Sequence, residues 1–147
     1  FDMCCDPQKA LEEAIELGFS SILTSGQEEN CLKGKSCLKQ LVRQADGRIR
    51  ILAGGGVSEK TIPSLIHEAG IHDFHMSGKT VLDSEMLYRK KEVHMGIAGM
   101  DEYAILRTDE EQVRLAKEAI FQKIDNFRNG EPQCFENNSK TTPNRFT

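Results

Sequence analysis

Three consecutive glycines, Gly54, Gly55 and Gly56, are the first residues of the sequence that could support chemistry. They follow residues 48–53, whose β-branched and bulky apolar side chains predict a buried strand. Ser58 then opens a helical pattern. Glycine takes positive φ without strain, and its backbone N–H can approach a ligand closely. A strand, a glycine turn and a helix N-terminus therefore form a possible anion cradle, or simply a tight turn between strand and helix.

Two other predicted strands also end in serine and glycine. Residues 19–24 run into Ser25-Gly26, and residues 73–76 run into Ser77-Gly78. In (β/α)8 barrels, the loops after the last two strands often form a phosphate site together with the start of an extra helix. The candidate ligand-binding residues at these three turns are Thr24, Ser25, Gly26, Gly54, Gly55, Gly56, Ser77 and Gly78. Asp2 is added as a possible base at a strand end, or as a residue that orients the neighbouring loop.

Apolar residues at helical spacing place a helix before each of these strands. The alternation of helix and strand predicts an α/β fold with a parallel sheet and crossover helices. Three strands cannot close a barrel, which takes about 250 residues, so the pattern fits the C-terminal half of a TIM (β/α)8 barrel. The predicted inward positions are Ala10, Leu11, Ala14 and Ile15; Leu38, Leu41, Val42 and Ala45; and Ile62, Leu65, Ile66 and Ala69.

The rest of the chain is less regular. Residues 27–36 are polar and read as a loop, and residues 81–100 show no clean period and predict an irregular excursion. Thr108 and Glu111 form a capping box, which predicts a helix from Thr108 onward. Residues 130–147 are polar, so we expect one domain over residues 1–129 and a disordered tail.

Composition excludes several functional classes. The chain has 147 residues and a net charge of -4, which gives no electrostatic basis for binding nucleic acid or an anionic membrane. No apolar run reaches the roughly 18 residues of a membrane-spanning helix. Five irregularly spaced cysteines indicate reduced thiols in a cytoplasmic protein. Phe1 in place of methionine suggests a fragment or a processed chain.

Several motifs in order resemble the CutC copper-homeostasis family, whose members form TIM barrels. Phe1-Asp2-Met3 resembles the end of that family's Phe-His-Arg-Ala-Phe-Asp-Met segment at the fifth strand. The sixth, seventh and eighth strands are matched in turn, and the likeness continues to about Ile120. The matching residues are Leu23-Thr24-Ser25-Gly26, Gly54-Gly55-Gly56-Val57, Phe74-His75-Met76-Ser77, Asp83-Ser84, Met86, Arg89, Val93 and Met95-Gly96.

The resemblance implies a cytoplasmic protein that handles copper and has no firmly established enzymatic activity. The family cysteines usually proposed as copper ligands lie in the half of the barrel that this sequence lacks. Copper(I) prefers thiolate and thioether ligands, and imidazole also serves copper. Cys4 and Cys5, at the end of the expected fifth strand, and His75 are therefore candidate ligands. The alternative is that both cysteines are small, partly buried apolar residues and His75 is hydrogen-bonded within the barrel.

Two further hypotheses remain open from the sequence. One is a phosphate-binding barrel enzyme that uses the turns at residues 54–56 and 77–78, with Asp2 or His75 as general acid or base. The other is a protein that associates through the unpaired edges of its half-barrel, including as a homo-oligomer. Because strands five and eight would lack neighbours, we also expect the chain alone to be poorly stable.

Overall fold

The computed structural model describes residues 1–90, 92–96 and 99–128, with side chains up to residue 122. Helices and strands alternate in the first half of the chain, and a hairpin and a long helix follow. The elements are α1 (Pro7–Glu16), β1 (Ser21–Thr24), α2 (Lys35–Ala45), β2 (Arg50–Ala53), α3 (Ile62–Ser64) with a π-helical continuation (Leu65–Ala69), β3 (Asp73–Phe74), β4 (Lys79–Asp83), β5 (Ala104–Thr108) and α4 (Glu110–Arg128).

Three strands form a parallel sheet in the order β1-β2-β3. Leu23 of β1 pairs with Leu52 of β2, which in turn pairs with Asp73 of β3. The predicted parallel α/β arrangement is confirmed. Each strand is shorter than predicted, and β3 has only two residues because it pairs with β2 at two positions alone.

The core lies between one face of this sheet and the helices. Ile22, Ile51 and Ala53 alternate onto that face and are buried. Most of the helical residues predicted to point inward are buried too, but four of them are only partly buried: Ala10, Ala14, Ile15 and Val42. The other face of the sheet is less covered: Leu23 on the edge strand β1 is 46% exposed, and Leu52 on the central strand is half-buried. This asymmetry follows from helices that pack on one side only.

Sequence signals at the first two helices are confirmed. The Asp6 carboxylate accepts a hydrogen bond from the Lys9 N–H at 3.0 Å, and Pro7 occupies the first turn, as expected for a helix start. α2 ends at the predicted Asp46-Gly47 pair, where both residues adopt left-handed φ. However, α2 begins at Lys35, inside the stretch predicted as a loop.

The prediction that Ser58 opens a helix directly after the glycines is wrong. The carbonyl of Ser58 accepts hydrogen bonds from the N–H groups of Thr61 and Ile62, which makes a separate turn. α3 begins only at Ile62, with Pro63 in its first turn. Proline has no N–H to donate, so it fits the start of a helix and not its interior.

The prediction of an irregular excursion over residues 81–100 is only partly correct. β4 begins at Lys79 and pairs antiparallel with β5, so a hairpin precedes the last helix. The capping position is also shifted: Thr108 belongs to β5, and the Asp109 carboxylate accepts the Glu111 N–H at 2.9 Å. The helix therefore begins one residue after Asp109.

Residues 130–147, predicted to be a disordered tail, lie outside the described residues. Among the helices of the described ranges, none is both long enough and apolar enough to cross a membrane.

Candidate functional site

The Asp2 carboxylate organises the end of β1. It accepts a hydrogen bond from the Thr24 hydroxyl, one from the Ser25 N–H at 2.9 Å and one from the Gln27 N–H at 3.1 Å. Burial by itself would raise the pKa of Asp2, but the hydrogen bonds from these three residues hold it below the ordinary value of 3.8. The predicted residues Asp2, Thr24 and Ser25 are thus brought together, and Asp2 itself occupies the backbone N–H groups of the turn.

Residues 25–34, the β1 loop, fold closely around this carboxylate. The Gly26 N–H donates to the Thr24 hydroxyl oxygen at 2.9 Å. Gly26 has a φ of 79°, and a Cβ there would lie 2.8 Å from the Gly34 Cα. Both the positive φ and this close backbone approach require glycine at position 26.

The same loop holds Cys4. The Gln27 side-chain amide donates to the Cys4 carbonyl at 2.6 Å and lies 3.4 Å from the Cys4 sulfur. Cys4 is half-buried and Cys5 is exposed, and both are free thiols. The backbone of Gln27 adopts a φ of 59°, which directs its N–H toward Asp2 while its side chain reaches Cys4.

A second thiol, Cys37, lies in the first turn of α2 and is half-buried. Burial raises the pKa of the Cys37 thiol, and the negative charges on Asp2 and Cys4 raise it further. The pKa of the fully buried Cys31 is also raised, mainly by burial, and Cys31 is part of the core.

The glycine turn after β2 packs against the β1 loop. The Gly54 N–H donates to the Thr24 carbonyl at 2.9 Å, and the Gly55 carbonyl accepts the Cys31 N–H at 2.9 Å. Gly55 and Gly56 have φ values of 80° and 78° and are exposed. Because α3 starts only at Ile62, the turn does not meet a helix N-terminus in the way that the anion cradle requires.

Ser77 and Gly78 contact the beginning of the last helix. The Ser77 carbonyl accepts the Thr108 hydroxyl at 3.2 Å, and the Gly78 carbonyl accepts the Asp109 N–H at 2.8 Å. The acidic residues Asp109 and Glu110 also lie at this helix start and oppose anion binding there. A phosphate site at residues 54–56 and 77–78 stays a prediction that these contacts do not favour.

His75 lies apart from the two thiols. It is exposed and follows β3, whereas its neighbours Phe74 and Met76 pack against the core. β2 lies between β3 and β1, and the backbone N–H of His75 donates to the Ala53 carbonyl at 2.8 Å, next to the end of β2 and not in the β1 loop. In the described part of the chain, no cluster of three or more His, Cys, Asp or Glu side chains could hold a metal ion.

Sequence reasoning did not single out Gln27 or Cys37. Gln27 was one polar residue in a loop, and a left-handed φ at a glutamine has no sequence signal. Cys37 sits beside Leu38 in the apolar pattern of a helix, where cysteine usually acts as a small apolar residue.

Comparisons with known proteins agree on one family. The model of the CutC family matches residues 1–80. A CutC family protein of Bacteroides thetaiotaomicron is 49% identical over 104 residues, which cover 70% of this chain and 42% of the relative. A mouse protein named copper homeostasis protein cutC homolog is 40% identical over 115 residues, which cover 78% of this chain and 42% of the relative.

Among solved structures, the crystal structure of a CutC protein from Streptococcus agalactiae matches with a TM-score of 0.44 and a sequence identity of 31%. The match covers 46% of this chain and 33% of the Streptococcus agalactiae chain. The chain spans about half the length of the curated relatives that it matches. Since the family model covers more than half of its residues, the chain belongs to the CutC family.

Proposed function

We propose that this chain acts in copper homeostasis and that it binds copper(I) as cargo through Cys4 and Cys37. The observation that carries the proposal is membership of the CutC family, in which the mouse relative is named for copper homeostasis. The free thiols of the described residues agree with a reducing compartment, and we place the protein in the cytoplasm.

The site has the chemistry for a soft monovalent ion. Thiolates select copper(I), and a bound thiol must lose its proton, so copper replaces two protons at a thiol pair. Gln27 fixes Cys4 through its carbonyl and faces its sulfur, which limits the motion of the first ligand. Gln27 also donates its backbone N–H to Asp2, so the Asp2 carboxylate adds negative charge that favours a bound cation near Cys4. His75 is not part of this proposal because it lies on another part of the sheet.

Competition with a colorimetric copper(I) chelator under anaerobic conditions tests the ligands. We expect Cys4→Ser and Cys37→Ser each to weaken copper(I) binding by at least about tenfold, the lower range for disturbing a metal site. Cys5→Ser changes the neighbouring exposed thiol and is the matched control, and Cys134→Ser is a second control outside the described residues. Both variants should bind copper(I) like the wild type. Circular dichroism of each variant separates loss of a ligand from loss of fold.

Two outcomes contradict the copper proposal. Wild-type binding in both Cys4→Ser and Cys37→Ser would show that neither thiol is a ligand. Loss of binding in Cys5→Ser, with Cys37→Ser unaffected, would move the second ligand to the exposed neighbour of Cys4.

A second candidate function is association through the open face of the parallel sheet. Leu23 is 46% exposed there, Leu52 is only half-buried, and no other described strand pairs with the outer edges of β1 and β3. Unpaired edges and apolar faces of this kind normally pack against further structure. We propose that the face belongs inside a half TIM barrel and packs against a further segment that corresponds to the unmatched part of the longer relatives.

Mixing tests this second proposal. The chain should melt at a higher temperature when it is mixed with the part of the Bacteroides thetaiotaomicron relative that it does not match. Leu23→Lys should abolish that rise, because it places a charge in the proposed contact. An unchanged melting temperature on mixing would contradict the proposal.

A further inference from the structure

The hairpin of β4 and β5 carries apolar side chains on both of its faces. Val81 and Leu106 pair on one face and are 65% and 47% exposed; Leu82 and Ile105 pair on the other and are 39% and 49% exposed. Within the part of the chain that the structure describes, no third strand joins this sheet. An isolated two-stranded hairpin is at best marginally stable in water, so the hairpin needs a partner.

The outer edge of β4 presents a defined set of backbone groups. The Asp109 N–H donates to the Gly78 carbonyl, and the Ser84 N–H donates to the Tyr103 carbonyl, each at 2.8 Å. In an antiparallel pair, residues alternate between those that bond across the pair and those that do not. Even-numbered residues of β4 therefore bond to β5, and Lys79, Val81 and Asp83 direct their N–H and carbonyl groups to the open edge.

The sequence of this edge is complementary to itself. If a second β4 runs antiparallel about a two-fold axis at Val81, the two Val81 residues pair, and Lys79 of each copy faces Asp83 of the other. All three outward-facing residues then bond across the new contact in one register. Opposite charges and apolar residues at directly paired positions stabilise a sheet, and a two-fold axis duplicates each such pair.

The two charged side chains are free to meet. Lys79 is exposed and takes part in no ion pair within the described residues. Asp83 is held by the Arg89 guanidinium at 2.8 and 2.7 Å, yet its side chain remains 71% exposed. An incoming lysine can reach the open side of that carboxylate while Arg89 keeps it oriented.

The edge of β5 lacks this complementarity. A two-fold axis at Leu106 would pair Ala104 with Thr108, so no opposite charges would meet there. Charge complementarity therefore selects β4 and not β5 as the contact strand.

We propose that β4 pairs with β4 of a second copy of this chain, so that two hairpins form a continuous four-stranded antiparallel sheet. Its centre is an apolar row of Leu106 and Val81 from both copies, and a Lys79–Asp83 pair lies on each side of this row. This contact is separate from the open face of the parallel sheet and from the thiol site, and it does not depend on copper binding.

Charge reversal tests the register. The full chain is studied by sedimentation velocity over a range of concentrations, and the wild type should form a dimer. Lys79→Glu and Asp83→Lys each turn two attractive pairs into two repulsive ones, so each should weaken dimerisation by about tenfold or more. A mixture of these two variants should form a heterodimer, because every pair across the contact is again attractive. Lys60→Glu, at an 87% exposed lysine, is the charge-matched control and should dimerise normally.

A backbone variant tests the same contact without changing charge. The Val81 N–H points to the open edge, so Val81→Pro should leave the hairpin intact and abolish the dimer. Thr80→Pro removes an N–H that bonds to β5 and should instead reduce the strand signal in circular dichroism. A monomeric wild type, a Val81→Pro dimer, or failure of the charge variants to associate on mixing would each overturn the proposal.

Discussion

Replacing Asp2 by asparagine should loosen the end of β1 while leaving the core in place. The two carboxylate oxygens divide their hydrogen bonds: one accepts from Thr24 and Gln27, and the other accepts from Ser25. An asparagine can keep its oxygen toward Thr24 and Gln27, but its amide then faces the Ser25 N–H with a second donor. One charge-assisted bond is lost and a donor is left without an acceptor.

The magnitude follows from these contacts. A hydrogen bond to a charged group contributes about 1.5–3 kcal/mol when buried, and Asp2 is only half-buried, so we expect a cost of about 1–2 kcal/mol. That corresponds to about a 5- to 30-fold change in a local opening equilibrium. Amide hydrogen exchange of Ser25 and Gln27 measures this opening directly. Asp46→Asn removes the same charge at an exposed residue and is the matched control.

The dependence on pH gives an independent check. The pKa of Asp2 is lowered in the folded chain, so its contribution is present above the ordinary value of 3.8 and is lost as the pH falls through the folded pKa. The difference between wild type and Asp2→Asn should therefore disappear in acid. Equal protection of the Ser25 and Gln27 amides in both proteins at neutral pH would refute the reasoning.

Two further substitutions test local features of the fold. Gly26→Ala should lower the free energy of unfolding in urea by about 3 kcal/mol or more, because it adds a backbone clash with Gly34 to a left-handed φ. Gly18 has a similar φ but open space around it, so Gly18→Ala should cost only about 1–2 kcal/mol. Equal costs for the two variants would contradict the clash. Asp109→Ala should lower the free energy of unfolding by about 1 kcal/mol, the usual cost of losing an N-cap, and Thr108→Ala should cost less. A larger loss for Thr108→Ala would show that Thr108 caps α4, as the sequence predicted.

Much of the first half of the fold was predictable because its signals are local. The Asp6-Pro7 start of α1 and the apolar period of α2 depend on neighbours within one or two helical turns. Alternating helices and strands then restrict the sheet to a parallel one. The same logic failed at Ser58, where a turn competes with the helix for the first hydrogen bonds.

The hairpin and the site were harder to predict because they depend on contacts distant in sequence. β4 becomes a strand by pairing with β5, which begins more than 20 residues later. The sequence identified Asp2, Thr24 and Ser25 as candidates, yet nothing in it showed that Asp2 itself would occupy the N–H groups of the turn. The effect of the Cys4 charge on the pKa of Cys37 likewise depends on residues distant in sequence.

The central claim, that this CutC chain binds copper(I) through thiols at the end of β1, is tested most directly by X-ray absorption at the copper edge. Copper(I) loaded at one equivalent on the full chain should show sulfur neighbours, and the sulfur signal should fall in Cys4→Ser. A spectrum with only nitrogen and oxygen neighbours, or one unchanged by Cys4→Ser, would contradict the claim.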